Sequence, residues 1–261
     1  MNYKTILVNE EDGIRTITLN RPERRNALTP QMQDELTAAL ESSVSANHAR
    51  VVLLAGADDV FCAGLDLEHL QIMASQPQSA HEADARRMAR LFRTLYELPK
   101  PTIAIVRGAA VAGGMGLAML CDLTFASPAA KFGFTEVKIG FVPALVSAFL
   151  TLQIGDKLAR DLLLTGRLLL AEEAAKLGLI NAVVPTHELV AHAHFVGHSL
   201  KANSPQSIRA TKQLMAAQNK AWLDAAITRA LSANAEARST HDFKEGITAF
   251  LEKRKPLWES R

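Results

Sequence analysis

Gly108-Ala109-Ala110-Val111-Ala112-Gly113-Gly114-Met115-Gly116-Leu117 is the stretch from which the rest of the chain is best read. It follows an apolar run, Thr102 to Val106, and leads into another, Leu117 to Leu120. Glycines where a strand feeds a helix let the main chain come close to a ligand and leave the first helical amides unpaired. Those amides, at the positive end of the helix dipole, suit an anion or a developing oxyanion. Three readings compete: tight strand–helix packing, a dinucleotide fingerprint, and an oxyanion hole. Gly114-Met115-Gly116 begins the fingerprint well, and Glu136 stands near the offset of a ribose-binding acid. Against it, Met119 occupies the third glycine position and no second clean βαβ half follows. A phosphate-binding P-loop is excluded, because no Gly-Lys-Ser/Thr follows.

A second segment favours the oxyanion hole. Asp59-Val60-Phe61-Cys62-Ala63-Gly64-Leu65-Asp66-Leu67 follows the apolar run Val51 to Ala55 and again offers small residues before a helical stretch. Two such corners, each after a buried strand, would meet if both lie at the same edge of one open α/β sheet, where such sheets bind ligands. Two backbone N–H groups from separate loops are what a thioester oxygen needs as it becomes an enolate. Glu136 is the third element, flanked by Phe132, Phe134, Val137, Ile139 and Phe141. Apolar surroundings raise a carboxyl toward usefulness as a proton carrier. The competing reading is a surface glutamate paired with Lys138.

Strands alternate with helices around these segments. Period-two patterns at Thr5–Val8 and Ile14–Leu19, with Glu11-Asp12-Gly13 between them, predict a hairpin. Thr29-Pro30 predicts a helix start, and His81–Glu97 reads as a further helix. Leu123–Ala126 is a third strand and Ile180–Val184 a brief one. Helices are expected at 156–164, 171–177, 188–200, 205–217, 221–237 and 242–253. The layout is α/β with a helical C-terminal region.

The 261 residues carry 29 Lys+Arg against 27 Asp+Glu, and 48% are hydrophobic. That composition excludes disorder and disfavours a nucleic-acid binder, which normally shows a basic excess. Met1 to Glu10 has no long apolar run, and Gly108–Cys121 is shorter than the roughly 20 apolar residues of a membrane span. Two cysteines without Cys-x-x-Cys spacing give neither a disulfide framework nor a zinc site. A cytoplasmic protein, with no membrane or nucleic-acid partner, is the expectation.

Asn20-Arg21-Pro22 with Asn26-Ala27-Leu28, Phe61 through Leu67, Gly108 through Asp122, Phe132-Gly133 with Glu136, Leu164-Thr165-Gly166-Arg167, Ala171-Glu172-Glu173-Ala174 with Gly178-Leu179, and Glu245-Gly246 through Lys253-Arg254 occur in order along almost the whole chain. Together they resemble the enoyl-CoA hydratase/isomerase (crotonase) family. The resemblance implies a ββα superhelix, a spiral core over 1–200 holding an acyl-CoA site, and a C-terminal helical oligomerisation region over 201–261. It implies a homotrimer or a dimer of trimers, an acyl-CoA thioester as substrate, and no cofactor beyond the coenzyme A that the substrate carries. The oxyanion donors would be the Leu65 and Gly113 amides, with Glu136 as acid/base. Ala63, Leu65 and Leu67 would meet the adenine, while Phe250 and Lys253 reach coenzyme A and Arg25 stands near its entrance.

One departure bears on the reaction. Family hydratases hold a water between two glutamates; the second matches Glu136, and the first falls at Gly116. Losing a positioned base typically costs about 10²–10⁴-fold, whereas one carboxylate suffices to move a proton between carbons. Gly116 is also expected to open room for a bulkier or branched acyl chain, and Glu at that position to raise hydration if the pocket is otherwise hydratase-like. Pro143-Ala144-Leu145-Val146-Ser147-Ala148-Phe149 is more apolar than the corresponding hydratase segment and implies a dry acyl pocket. A branched-chain, methylglutaconyl-CoA-like hydratase and an acyl-CoA-binding protein with little turnover stay open as alternatives. Glu68-His69 reads as a solvated helix start, and His192, His194 and His198 make no metal motif. Cys62 and Cys121 read as buried thiols, and Trp222 and Trp258 as packing or interface residues.

Overall fold

Each buried strand is a run of apolar residues whose alternate side chains serve different cores. The computed structural model describes residues 3–46 and 48–258; Met1 and Asn2 of the opening segment and the last three residues of the 201–261 region lie outside them. β1 (Ile6–Glu11) and β2 (Ile14–Leu19) form the expected hairpin. Its two turn residues, Asp12 and Gly13, both take positive φ (48° and 76°), as a tight right-twisting hairpin requires. α1 (Pro30–Ser45) follows, capped by the Thr29 side chain on the Met32 amide.

β3 (Val51–Gly56), β4 (Thr102–Val106), β6 (Leu123–Ala126) and β9 (Ala182–Val183) extend the hairpin into a six-stranded sheet of order β1-β2-β3-β4-β6-β9, parallel from β2 onward. Val51, Leu53, Ile103 and Ile105 face α7 (Leu189–Ala202) through Leu189 and Ala193. Val52, Leu54, Ala104 and Val106 face the main core with α1 and α3 (Gln78–Tyr96). That two-sided burial explains why these strands read as unbroken apolar runs.

A second, three-stranded sheet is built from β5 (Ala109–Val111), β7 (Lys131–Gly133) and β8 (Leu169–Leu170). It was not foreseen: the glycine-rich stretch is itself strand for three residues before α4 (Gly113–Leu120) begins. Two further corrections concern helices. The helix expected over 156–164 is present, but another helical segment that was not foreseen precedes it: α5 (Ala144–Thr165) is broken at Gly155 (φ 75°, ψ 165°). α8 (Pro205–Ala237) is one 33-residue helix, not two, because Gln218-Asn219-Lys220 contains polar residues but no helix breaker. The remaining helices are α2 (Leu67–Met73), α6 (Ala171–Lys176) and α9 (His241–Leu251). Among the described residues no helix is long and apolar enough to cross a membrane.

Candidate active site

Two main-chain corners meet beside the second sheet. Cys62 pairs with Ala110 in a parallel bridge: its N–H donates to the Ala109 carbonyl, and the Val111 N–H donates to the Cys62 carbonyl. Three residues later the chain pairs on its other flank, where Leu28 N–H donates to Gly64 O and Asp66 N–H to Leu28 O. In an extended segment, N–H groups alternate in direction, so the Leu65 amide points back toward the β5 side. There the chain turns away at Ala112, a non-glycine residue at φ 51°, ψ −127°. This strained corner leaves Gly113 as the first residue of α4, where an amide has no intrahelical partner. A Cβ on Gly64 (φ +91°) would stand 2.9 Å from the Ala112 Cβ and 3.5 Å from the Gly113 nitrogen, so the two corners are in contact. Gly114 is needed for the same approach: a Cβ there would lie 2.3 Å from the Cys62 carbonyl oxygen.

Sheet register brings the carboxylate alongside. Val111 pairs with Gly133, and the Ala112 amide donates to the Gly133 carbonyl at 2.8 Å. β7 therefore runs beside β5 and delivers Glu136 at the start of a 3-10 turn, Glu136–Ile139. The Glu136 side chain is 8% exposed, and its Oε2 is buried without a hydrogen-bond partner among the described residues. Burial pushes its carboxyl up to about 7. Lys138 is exposed and forms no ion pair with it among the described residues.

Both corners and Glu136 line a cavity of about 740 Å³. Its deep wall is apolar: Met88, Phe92, Phe141, Leu145 and Val146. Ala63, Leu67, Arg25 and Phe250 also line it, whereas Gly116 and Lys253 do not. The expectation that Gly116 opens acyl space is corrected here. A Cβ at Gly116 would lie 2.4 Å from Phe92 Cζ and 3.0 Å from Val146 Cγ1, so those side chains already fill the room. Phe92 is held in place edge-on against Phe149, 6.2 Å between centroids. Arg254 likewise is committed to Glu245 and Glu252. Asp66 and Glu68, the other carboxylates on the cavity, are paired with Arg21 and Arg24. Sequence reasoning missed Asn234, Leu168, Met88 and Phe92 as lining residues; the one available signal was the four-residue spacing of Met88 and Phe92 on α3.

Two main-chain corners in contact, a buried carboxyl raised by its surroundings and a cavity with an apolar wall are together the features of a candidate enzyme site. The sequence model of the enoyl-CoA hydratase/isomerase family matches residues 9–261. A Thermus thermophilus relative is 43% identical over 247 residues, covering 95% of this chain and 98% of its own. A short-chain-enoyl-CoA hydratase of Clostridium acetobutylicum is 31% identical, over 98% and 97% of the two chains. The crystal structure of an enoyl-CoA hydratase/isomerase from Xanthobacter autotrophicus Py2 superposes with a TM-score of 0.89 at 30% identity, covering 97% of this chain and 98% of that one. The chain belongs to the enoyl-CoA hydratase/isomerase family and has the crotonase fold.

Proposed function

We propose that the protein shifts the double bond of an enoyl-CoA thioester, using Glu136 as the sole proton carrier. The single observation that carries this reading is the buried Glu136 Oε2, without a partner among the described residues, in a cavity whose other carboxylates are already paired. With a 3-enoyl thioester, ionised Glu136 takes a proton from C2. The electron pair spreads to the thioester oxygen, which the Leu65 and Gly113 amides hold as a dienolate. The same carboxyl then returns the proton to C4, and the 2-enoyl thioester results with no change in composition. Ala63, Leu67, Arg25 and Phe250 line the cavity where the coenzyme A portion would lie. Lys253, outside the lining, would join them only by reaching from a neighbouring subunit, consistent with a trimer or paired trimers.

Incubation with 2-enoyl and 3-enoyl thioesters in deuterated water tests this. Carbon-bound deuterium with interconversion of the two, and no hydroxyacyl product, is the expected result. Net hydration at a comparable rate would overturn it in favour of a hydratase, the activity of relatives such as the Clostridium short-chain-enoyl-CoA hydratase. An acyl-CoA-binding protein predicts neither outcome: wild type would bind the thioester without turnover, as would Glu136→Gln.

A further inference from the structure

Behind the cavity lies a buried ionic hub that the proton transfer itself does not use. Asp84, on α3, is 3% exposed, and Arg238, the residue that ends α8, is 1% exposed. Asp84 Oδ2 accepts from Arg238 Nη1 at 2.7 Å, while Oδ1 meets His69 Nε2 at 2.9 Å and accepts from Arg87 at 3.1 Å. Arg238 Nε also donates to Asn234 Oδ1 at 3.1 Å. Burial alone would raise the Asp84 carboxyl; the His69 and Arg238 partners outweigh it and hold it at about 2. His69, expected to be solvated, is instead turned inward on α2.

The hub touches both halves of the site. On one side, α2 begins two residues after Leu65, and its N-cap Asp66 accepts from the Glu68 and His69 amides. On the other side, the Arg238 guanidinium lies 5.6 Å from the centre of the Phe141 ring, within cation–π range. Phe141 is no passive wall, since its N–H donates to the Glu136 carbonyl at 3.0 Å and closes the turn that carries the acid. A separate small core joins the same parts: Leu70 of α2, Phe141, Ala237 of α8, and Phe243 and Ile247 of α9.

We infer that Arg238 is a positioning residue: anchored on Asp84, it fixes the Phe141 ring, and through it the Glu136 turn, relative to the strand end that presents the Leu65 amide. Charge alone does not do this. A lysine can satisfy Asp84 but lacks the guanidinium that also reaches over the Phe141 ring. The inference rests on Glu136 being the proton carrier.

The test is a double-mutant cycle of Arg238→Lys and Phe141→Leu, read as kcat, KM and the pH midpoint of kcat/KM on 3-hexenoyl-CoA. A misplaced reacting group costs up to about 10²-fold, so each single variant should lose about tenfold or more in kcat. KM for Arg238→Lys should stay within about twofold, and its pH midpoint should fall from about 7 toward the ordinary carboxylate range as the turn loosens. The double variant should lose little more than the worse single one, because both act through one contact. Independent, multiplying losses would overturn the inference, as would a folded Arg238→Lys enzyme with wild-type kcat and pH midpoint. Should Arg238→Lys not fold, Phe141→Leu decides alone: a raised KM with unchanged kcat marks it as mere wall and overturns the positioning role. Glu136→Gln separates the two layers. Full turnover by that variant removes the proton-carrier reading and this inference with it, whereas an inactive Glu136→Gln beside an unaffected Arg238→Lys overturns positioning alone.

Discussion

Replacing Glu136 by Gln should stabilise the protein above neutral pH and leave it nearly unchanged in acid. Burial lifts this carboxyl from its usual 4.5 to about 7. Its folded-state value is thus the higher one, so between those two values the unfolded chain releases a proton that the folded chain keeps. Wild-type stability therefore falls as pH rises through that window, and the loss is complete above about pH 7. The gap between the two values corresponds to about 3 kcal/mol. Glutamine has the same shape and does not titrate, so it escapes the loss. Urea unfolding of both proteins near pH 4.5 and near pH 8.5 measures the effect, provided the denaturant slopes agree. The advantage of the Gln variant should grow by about 3 kcal/mol between the two conditions. A constant difference would refute the reasoning, because it would mean that the carboxyl is solvated like any surface glutamate. The same substitution should reduce turnover by about 10²–10⁴-fold, so stability and activity move in opposite directions.

Three further outcomes are expected. The kcat/KM for the double-bond shift should rise with pH to a plateau with its midpoint at about 7, since the base must be ionised to take the first proton; a flat profile from pH 5 to 9 would remove Glu136 from that role. Gly116→Glu should lower the thermal midpoint, by an overpacking cost of about 1–3 kcal/mol, because its Cβ meets Phe92 at 2.4 Å. It should bring no gain in hydration, and a stable, hydrating variant would show that Phe92 yields easily. Burial pushes the Cys62 thiol up to about 12 and raises Cys121 as well, so a thiol reagent at pH 8 should label neither until urea unfolds the chain.

The parts of the fold that were legible in the sequence are those where local pattern and final environment agree. β3, β4 and β6 stand out because both faces of the strand are buried, and the Asp12-Gly13 turn because its conformation demands such residues. β5 and β7 were missed for a physical reason: each is three residues long, and pairing between distant segments, not side-chain periodicity, makes them strands. The start of α5 is hidden behind Pro143, which reads as loop until one sees the apolar face that Leu145, Val146 and Phe149 bury. At the site, glycines and one acid in an aromatic context were readable, since the backbone geometry demands the former and the burial follows from the latter. The Phe92 packing over Gly116 was not, because a glycine in a sequence says only that no side chain is present and nothing about what fills the space. The inward turn of His69 was equally hidden: Asp84 and Arg238, 154 positions apart, meet only after the chain has closed on itself.

That closure sets the order in which the molecule becomes competent. Asn234, Phe250 and Leu251 line a cavity whose amide corners lie in the first half of the chain. Synthesis from the N-terminus therefore makes the strands, both corners and Glu136 well before the last residues that line the cavity. The complete cavity therefore exists only once α8 and α9 have been made and docked.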